Sequence, residues 1–182
     1  MIQLHTTVTD SGMPPLILLE ELGLPDTLDR PNPTGKLPGP SGVLPWDTAR
    51  SDPFIYDESN SLLLHESGAI LLYLSEKTRH LLPIAPKARA LAYQWLFSSA
   101  PFAHGSQDPG TNRAYLVVQN AALVTRDYPA GDLSLAGIAT YPFVWRCAQN
   151  LTLDPGLALE SWLVRMSERP AVTTAHVRMV NP

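Results

Sequence analysis

A chain of 182 residues, 45% of them hydrophobic, can build one sizeable core or two small ones and is too short for most multidomain enzymes. A net charge of -4 with no cluster of Lys and Arg excludes the electrostatic footprint of a nucleic-acid-binding protein. The single cysteine, Cys147, excludes an internal disulfide and any Cys-x-x-Cys redox or zinc site.

Proline is the unusual component, 18 residues against a usual share of about 5%. Most fall within 14–53 and 83–109, between segments of helical pattern, so they punctuate the chain rather than form a low-complexity tract. No basic stretch followed by a long apolar run opens the sequence, so no signal peptide is expected. The longest apolar run, Ala69 to Leu74, is far below the roughly 20 residues that span a bilayer. These features point to a soluble, cytoplasmic protein with no membrane or nucleic-acid partner.

Residues 2–7, with Ile2, Leu4 and Thr6 alternating, predict a half-buried strand. Pro14 and Pro15 suit a first helical turn, and Leu16, Leu19 and Leu22 share a face before Gly23 ends the helix. Residues 26–57 read as loop, except that Phe54, Ile55 and Tyr56 suit a strand. Glu58-Ser59-Asn60 turns the chain into a partner strand from Ser61 to His65. Glu66-Ser67-Gly68 then opens a helix whose Ile70, Tyr73, Leu74 and Lys77 lie one turn apart, which gives the order β, α, β, β, α.

After Leu82 the periodicity is helical throughout, and Pro83 and Pro86 bracket a linker, so a boundary is expected near residue 80. Four helices are predicted beyond it. They carry Ala88, Leu91, Ala92, Trp95 and Leu96; span Ala114 to Thr125; span Ser134 to Cys147; and carry Leu159, Trp162, Leu163 and Met166.

A small β, α half followed by an all-helical half resembles the layout of the glutathione transferases, and three motifs extend the resemblance. Asn32-Pro33-Thr34-Gly35-Lys36-Leu37-Pro38 is similar to the family's Asn-Pro-x-Gly-Lys-aliphatic-Pro segment. Glu66-Ser67-Gly68-Ala69-Ile70 resembles its glutathione-binding Glu-Ser signature. The segment from Ser134 to Pro142 resembles the capping motif of the central helix in its second domain, with Gly137 where the family has Asp, and Glu168-Arg169-Pro170-Ala171-Val172 matches the usual ending. The resemblance implies an α+β two-domain fold: a thioredoxin-like βαβ-ββα domain at 1–80 that binds glutathione, and an all-α bundle at 86–182. It also implies a homodimer.

The resemblance gives Leu37 and the cis Pro38 the cysteinyl part of glutathione, Lys36 its glycine carboxylate, and Glu66 and Ser67 its γ-glutamyl head. Helix physics supports the last pair independently. A serine N-cap with the free N–H groups behind it stabilises a carboxylate, and a glutamate beside it accepts from an α-ammonium group. The same residues also suit a plain helix cap with a solvated glutamate, Pro38 an ordinary trans loop proline, and Lys36 a solvated lysine.

Glutathione chemistry needs a thiolate, so hydrogen-bond donors must lower a thiol pKa of about 8.5. Residues 1–30 contain neither cysteine nor tyrosine, which leaves hydroxyls. Thr9-Asp10-Ser11-Gly12 resembles the Thr-Pro-Asn-Gly turn of transferases related to the yeast nitrogen regulator, and makes Thr9 or Ser11 the candidate catalytic residue. Asp10, where those proteins have proline, puts a negative charge beside the anion unless it points away. Tyr93, Phe97, Phe102 and His104 are candidates for the electrophile pocket, although His104 before Gly105-Ser106 equally suits a surface position.

These residues imply an enzyme that adds the glutathione thiolate to an electrophilic, conjugated small molecule. Released as an adduct, the product makes the protein a transferase; bond rotation and elimination make it a cis–trans olefin isomerase of secondary metabolism. The altered turn also fits a protein of this fold that has lost catalysis and serves as a binding or regulatory module.

Overall fold

The computed structural model describes residues 1–30, 53–103, 108–150 and 157–181. The elements are β1 (Ile2–His5), α1 (Met13–Leu22), β2 (Asp26–Asp29), β3 (Phe54–Asp57), β4 (Leu62–His65), α2 (Ser67–Thr78), α3 (Pro86–Ala103), α4 (Pro109–Leu123), α5 (Leu135–Asn150), α6 (Ala158–Ser167) and α7 (Pro170–Val180).

The four strands form one mixed sheet in the order β2-β1-β3-β4. β1 runs parallel to β2, with Leu4 opposite Leu28, and antiparallel to β3, with Leu4 opposite Ile55. β3 and β4 pair as the expected hairpin, Phe54 opposite His65. The period-2 alternation of β1 sends Ile2 and Leu4 into the core, where Ile55 joins them. The opposite face carries a stack of its own: His5 lies flat on Phe54 with ring centroids 4.5 Å apart, and Phe54 tilts against His65.

β2 corrects the expectation of loop from Asp26 onward. Asp26-Thr27-Leu28-Asp29 has little strand propensity, but β1 offers an open edge, and the backbone groups of β2 are satisfied by pairing there. The chain therefore begins β, α, β, as the family resemblance implies, and not β, α and then loop.

α1 is buried over its first seven residues, from Met13 to Leu19, because it packs on α2, α5 and α7 and shares one core with Ile2, Leu4 and Ile55 of the sheet. Gly23, at φ 59°, closes it with its N–H directed to the last carbonyls. In the helical half, α5 is central: it packs on α3, α1, α2 and α6, and Tyr141 meets Trp162 edge to face. The expectation of four helices is also corrected. Pro170, read only as part of the closing motif, starts a fifth helix, α7, because proline is tolerated at the first helical position.

α7 lies along α1 and is tied to it by charge. Arg169 makes a two-pronged pair with Glu21, and Arg178 bridges Glu20 and Asp26. Arg30 adds bonds to the carbonyls of Thr6 and Met179. No helix among the described residues is long and apolar enough to cross a membrane.

Candidate functional site

The β1–α1 connection is a tight hydroxyl-bearing turn. The Thr9 carbonyl accepts from the N–H groups of Gly12 and Met13, both at 3.2 Å, and Thr9 Oγ1 accepts from Gly12 N–H at 3.2 Å. The Thr9 and Ser11 hydroxyls lie 3.1 Å apart; Thr9 is exposed and Ser11 buried. Gly12 is required here by close approach: a Cβ on it would lie 2.0 Å from Thr6 Oγ1 and 2.8 Å from the Thr7 carbonyl oxygen.

This turn uses up the amides that a helix N-terminus would normally offer. Of residues 12–15, Gly12 and Met13 donate to Thr9, and Pro14 and Pro15 have no N–H. Thr9 and Ser11 bring side-chain hydroxyls beside this helix start.

The start of α2 is the opposite case. Ser67 is the first helical residue and Glu66 occupies the cap, a correction by one position to the expectation of a serine N-cap. No side chain caps the helix, and its first internal bond runs from Ile70 N–H to the Glu66 carbonyl at 2.9 Å. The amides of Ser67, Gly68 and Ala69 precede that bond and form the positive end of the helix. Glu66 itself sits at φ 73°, ψ 121°, a region that costs a non-glycine residue on the order of 1–3 kcal/mol. Glu66 is exposed.

A small cleft of about 40 Å³ collects these pieces. Pro14 of α1, Glu66, Ser67, Gly68 and Leu71 of α2, Leu96, Ser99 and Ala100 of α3, and Ala139 of α5 line it. Glu66 and Ser67 are thus brought to the start of α1, three residues after Ser11. Thr9 and Ser11 are not themselves lining residues.

The pocket candidates divide. Phe102 is buried and lines a second cleft of about 300 Å³ between α3 and α4, with Trp95 and Tyr115. Phe97 is 65% exposed and Tyr93 half-buried, and neither lines either cleft. Lys36, Leu37, Pro38 and His104 lie outside the described residues. Sequence reading missed Ser99 and Ala100, which look unremarkable until α3 is phased: they sit one turn beyond Leu96 on the face turned to α2.

Asp10 is answered from a distance. Its carboxylate pairs with Nε of Arg146 on α5. Burial pushes the Asp10 carboxyl up, and the Arg146 guanidinium pulls it back. Cys147, next in sequence, is buried, and burial pushes its thiol up, away from the thiolate that a reactive cysteine needs. No group of three metal-ligating side chains occurs among the described residues.

A four-stranded thioredoxin-like sheet followed by a helical bundle, with an open helix start beside Pro14 of α1, is the glutathione transferase fold. No family model matches the sequence. The chain is 28% identical over 216 aligned residues to an uncharacterized GST-like protein of Streptococcus mutans, covering 96% of this chain and 81% of that one. It is 33% identical over 143 residues to the disulfide-bond oxidoreductase YfcG of Escherichia coli, covering 65% of this chain and 66% of that one. A crystal structure of a glutathione transferase family member from Pseudomonas fluorescens, with two glutathione molecules bound, superposes with a TM-score of 0.74 at 25% identity, over 96% of this chain and 91% of that chain. The chain has the fold of these glutathione transferases and is similar in sequence to a GST-like protein.

Proposed function

We propose that this chain binds glutathione at the start of α2 and uses its thiolate on an electrophilic, conjugated small molecule. The observation that carries the reading is the uncapped, strained start of α2, which shares a small cleft with Pro14 of α1. The amides behind Glu66 suit the carboxylate of the γ-glutamyl head, and the Glu66 carboxylate suits its ammonium. Residues 1–80 would form the glutathione-binding domain and 86–182 the helical one. Leu37 and Pro38 would hold the cysteinyl part, and Lys36 the glycine carboxylate.

A hydroxyl proton from Thr9 or Ser11, shared with the sulfur, stabilises the thiolate. The thiolate adds to the β-carbon of a conjugated carbonyl, forming a C–S bond and an enolate. Protonation at the α-carbon by solvent gives an adduct, the transferase outcome. Rotation in the enolate followed by C–S cleavage returns glutathione and an isomerised alkene. The second outcome would make the protein a glutathione-dependent olefin isomerase of secondary metabolism, of the kind found in pseurotin biosynthesis. Tyr93, Phe97, Phe102 and His104 remain the candidates to surround the electrophile. A two-fold dimer accompanies this reading, and exposed Phe97, Val117 and Val118 on α3 and α4 suit burial by a second copy.

The likeness to a disulfide-bond oxidoreductase favours a second reading, in which the bound thiolate attacks a substrate disulfide. A second glutathione then releases the first as glutathione disulfide. Both sulfurs come from glutathione, so Cys147 takes no part.

Retention on immobilised glutathione, followed by mass spectrometry with conjugated enones and a model disulfide, separates these readings. A mass gain selects transferase, an E/Z change without mass gain selects isomerase, and glutathione disulfide formation selects the second reading. Retention without turnover leaves a binding module, and no retention refutes the proposal. Ser67→Ala should weaken glutathione binding by about 1 kcal/mol or more.

A further inference from the structure

The residue between the two candidate hydroxyls is an aspartate, and a carboxylate there opposes a thiolate. Its charge is met by a residue 136 positions away: Arg146 Nε, on α5, binds the Asp10 carboxylate. The side chains are 19% and 32% exposed, so solvent screens them less than a surface pair. Arg146 is held from a second side as well, its guanidinium lying 5.5 Å from the centre of the Phe143 ring.

We propose that Arg146 is a positioning residue of the thiol site: through Asp10 it anchors the Thr9–Ser11 turn to the helical half and cancels the one carboxylate of that turn. The inference rests on the reading of Thr9 or Ser11 as the thiol activator. Two consequences follow from the pairing. Mechanically, the turn gains a tether to α5, whose residues 135–144 are all buried. Electrostatically, the turn presents donors without a net charge, and the thiolate does not compete with Asp10.

From β2 and its end, Arg30 donates to the Thr6 carbonyl and Asp29 lies opposite His5; both are unchanged in the variants below. On α5, burial pushes the Cys147 thiol up. On α1, Glu20 and Glu21 lie in the last turn and are paired with Arg178 and Arg169. The Thr9 and Ser11 hydroxyls carry no charge in the neutral range.

The test is a pH titration of thiolate absorbance for glutathione bound to the full chain. Arg146→Ala leaves Asp10 unpaired and should raise the midpoint, with about tenfold less thiolate at a fixed pH below it. Asp10→Asn leaves Arg146 uncompensated and should lower the midpoint. Asp10→Asn combined with Arg146→Ala should return it toward the wild-type value, and Arg146→Lys should hold it there. A loosened fold moves both single variants the same way, so opposite signs are the decisive result. If Arg146→Ala fails to fold, Asp10→Asn and Arg146→Lys carry the comparison. Wild-type protein that binds glutathione as thiolate, with both single variants unshifted or shifted together, overturns this inference alone. Wild-type protein that binds no glutathione overturns the functional reading and this inference with it.

Discussion

Tyr73 on α2 donates its hydroxyl proton to the Asp57 carboxylate at the end of β3 over 2.6 Å. Lys77 binds the same oxygen, and the Ser59 amide and hydroxyl bind the other at 2.9 and 2.7 Å. The β3–β4 hairpin is thereby fastened to the helix whose other end carries Glu66 and Ser67. Burial alone would raise the Asp57 carboxyl, but the hydrogen bonds from Lys77, Tyr73 and Ser59 outweigh it and hold it well below the usual carboxylate range. A depressed folded-state value means the stabilisation is complete above the ordinary carboxylate pKa of about 3.9 and is lost as pH falls toward the folded value. Asp57→Asn should therefore cost about 2 kcal/mol at neutral pH, and less at pH values below about 4. Urea midpoints of the two proteins at neutral and acidic pH measure the difference; a constant gap would remove Asp57 as its source.

His176 on α7 sets a second pH dependence of the same sign at a higher pH, although here the favoured form is neutral. Its Nε2 lies 3.0 Å from the Tyr141 hydroxyl on α5, and its ring packs on Trp145. Burial lowers its pKa, so the unfolded chain takes up a proton more readily than the folded one. Stability should fall as pH drops below about 6.5 and level off below the folded-state value. His5, also lowered by burial against an opposing Asp29, adds to the same trend. His176→Gln keeps a partner for Tyr141 without titrating, and thermal midpoints across this range should show a shallower slope; an unchanged slope assigns the effect elsewhere.

Gly137 stands at the third position of α5, where the family has Asp, and Ser134 Oγ is buried without a hydrogen-bond partner. A Cβ on Gly137 would meet nothing closer than Tyr128 Cδ1 at 3.7 Å, so there is room for a side chain. Gly137→Asp should stabilise the protein by about 1 kcal/mol, through a restored capping box, a favourable charge in the first turn and a lower unfolded-state entropy. Calorimetry decides it, and a lower midpoint would show that the site does not accept the carboxylate.

Two other glycines should behave oppositely when replaced by alanine. Gly12→Ala forces its methyl into Thr6 and the Thr7 carbonyl, and should cost about 2 kcal/mol or more while displacing the hydroxyl turn. Gly68→Ala meets only Leu96 at 3.8 Å and lies inside a helix, so it should be neutral or stabilising by about 0.5–1 kcal/mol. Equal effects in chemical denaturation would contradict the packing described for the turn.

Glu66 holds a conformation that glycine adopts freely. Glu66→Gly should be stable to the same degree or up to about 1 kcal/mol more so, yet lose retention on immobilised glutathione. A variant that is both less stable and still retained would mean that the backbone of Glu66 serves the fold and not the ligand.

Local patterns in the sequence marked β1, α1, the β3–β4 hairpin and the open start of α2, because alternation, Pro14-Pro15, a polar turn and the Glu66-Ser67-Gly68 junction each act over a few residues. They could not mark β2, whose four residues become a strand only because β1 presents a parallel edge. Helical phase did separate Leu96, on the apolar stripe, from Phe97, one step and about 100° away in solvent. The lone cysteine excluded an internal disulfide and any Cys-x-x-Cys site, the absence of a Lys and Arg cluster argued against a nucleic-acid footprint, and the quoted motifs resembled those of the glutathione transferases. The fate of Asp10 was decided by tertiary structure alone. Whether that carboxylate opposes a thiolate or anchors a turn depends on Arg146, 136 residues away, and charge pairing at that separation is set by how α5 packs on α1.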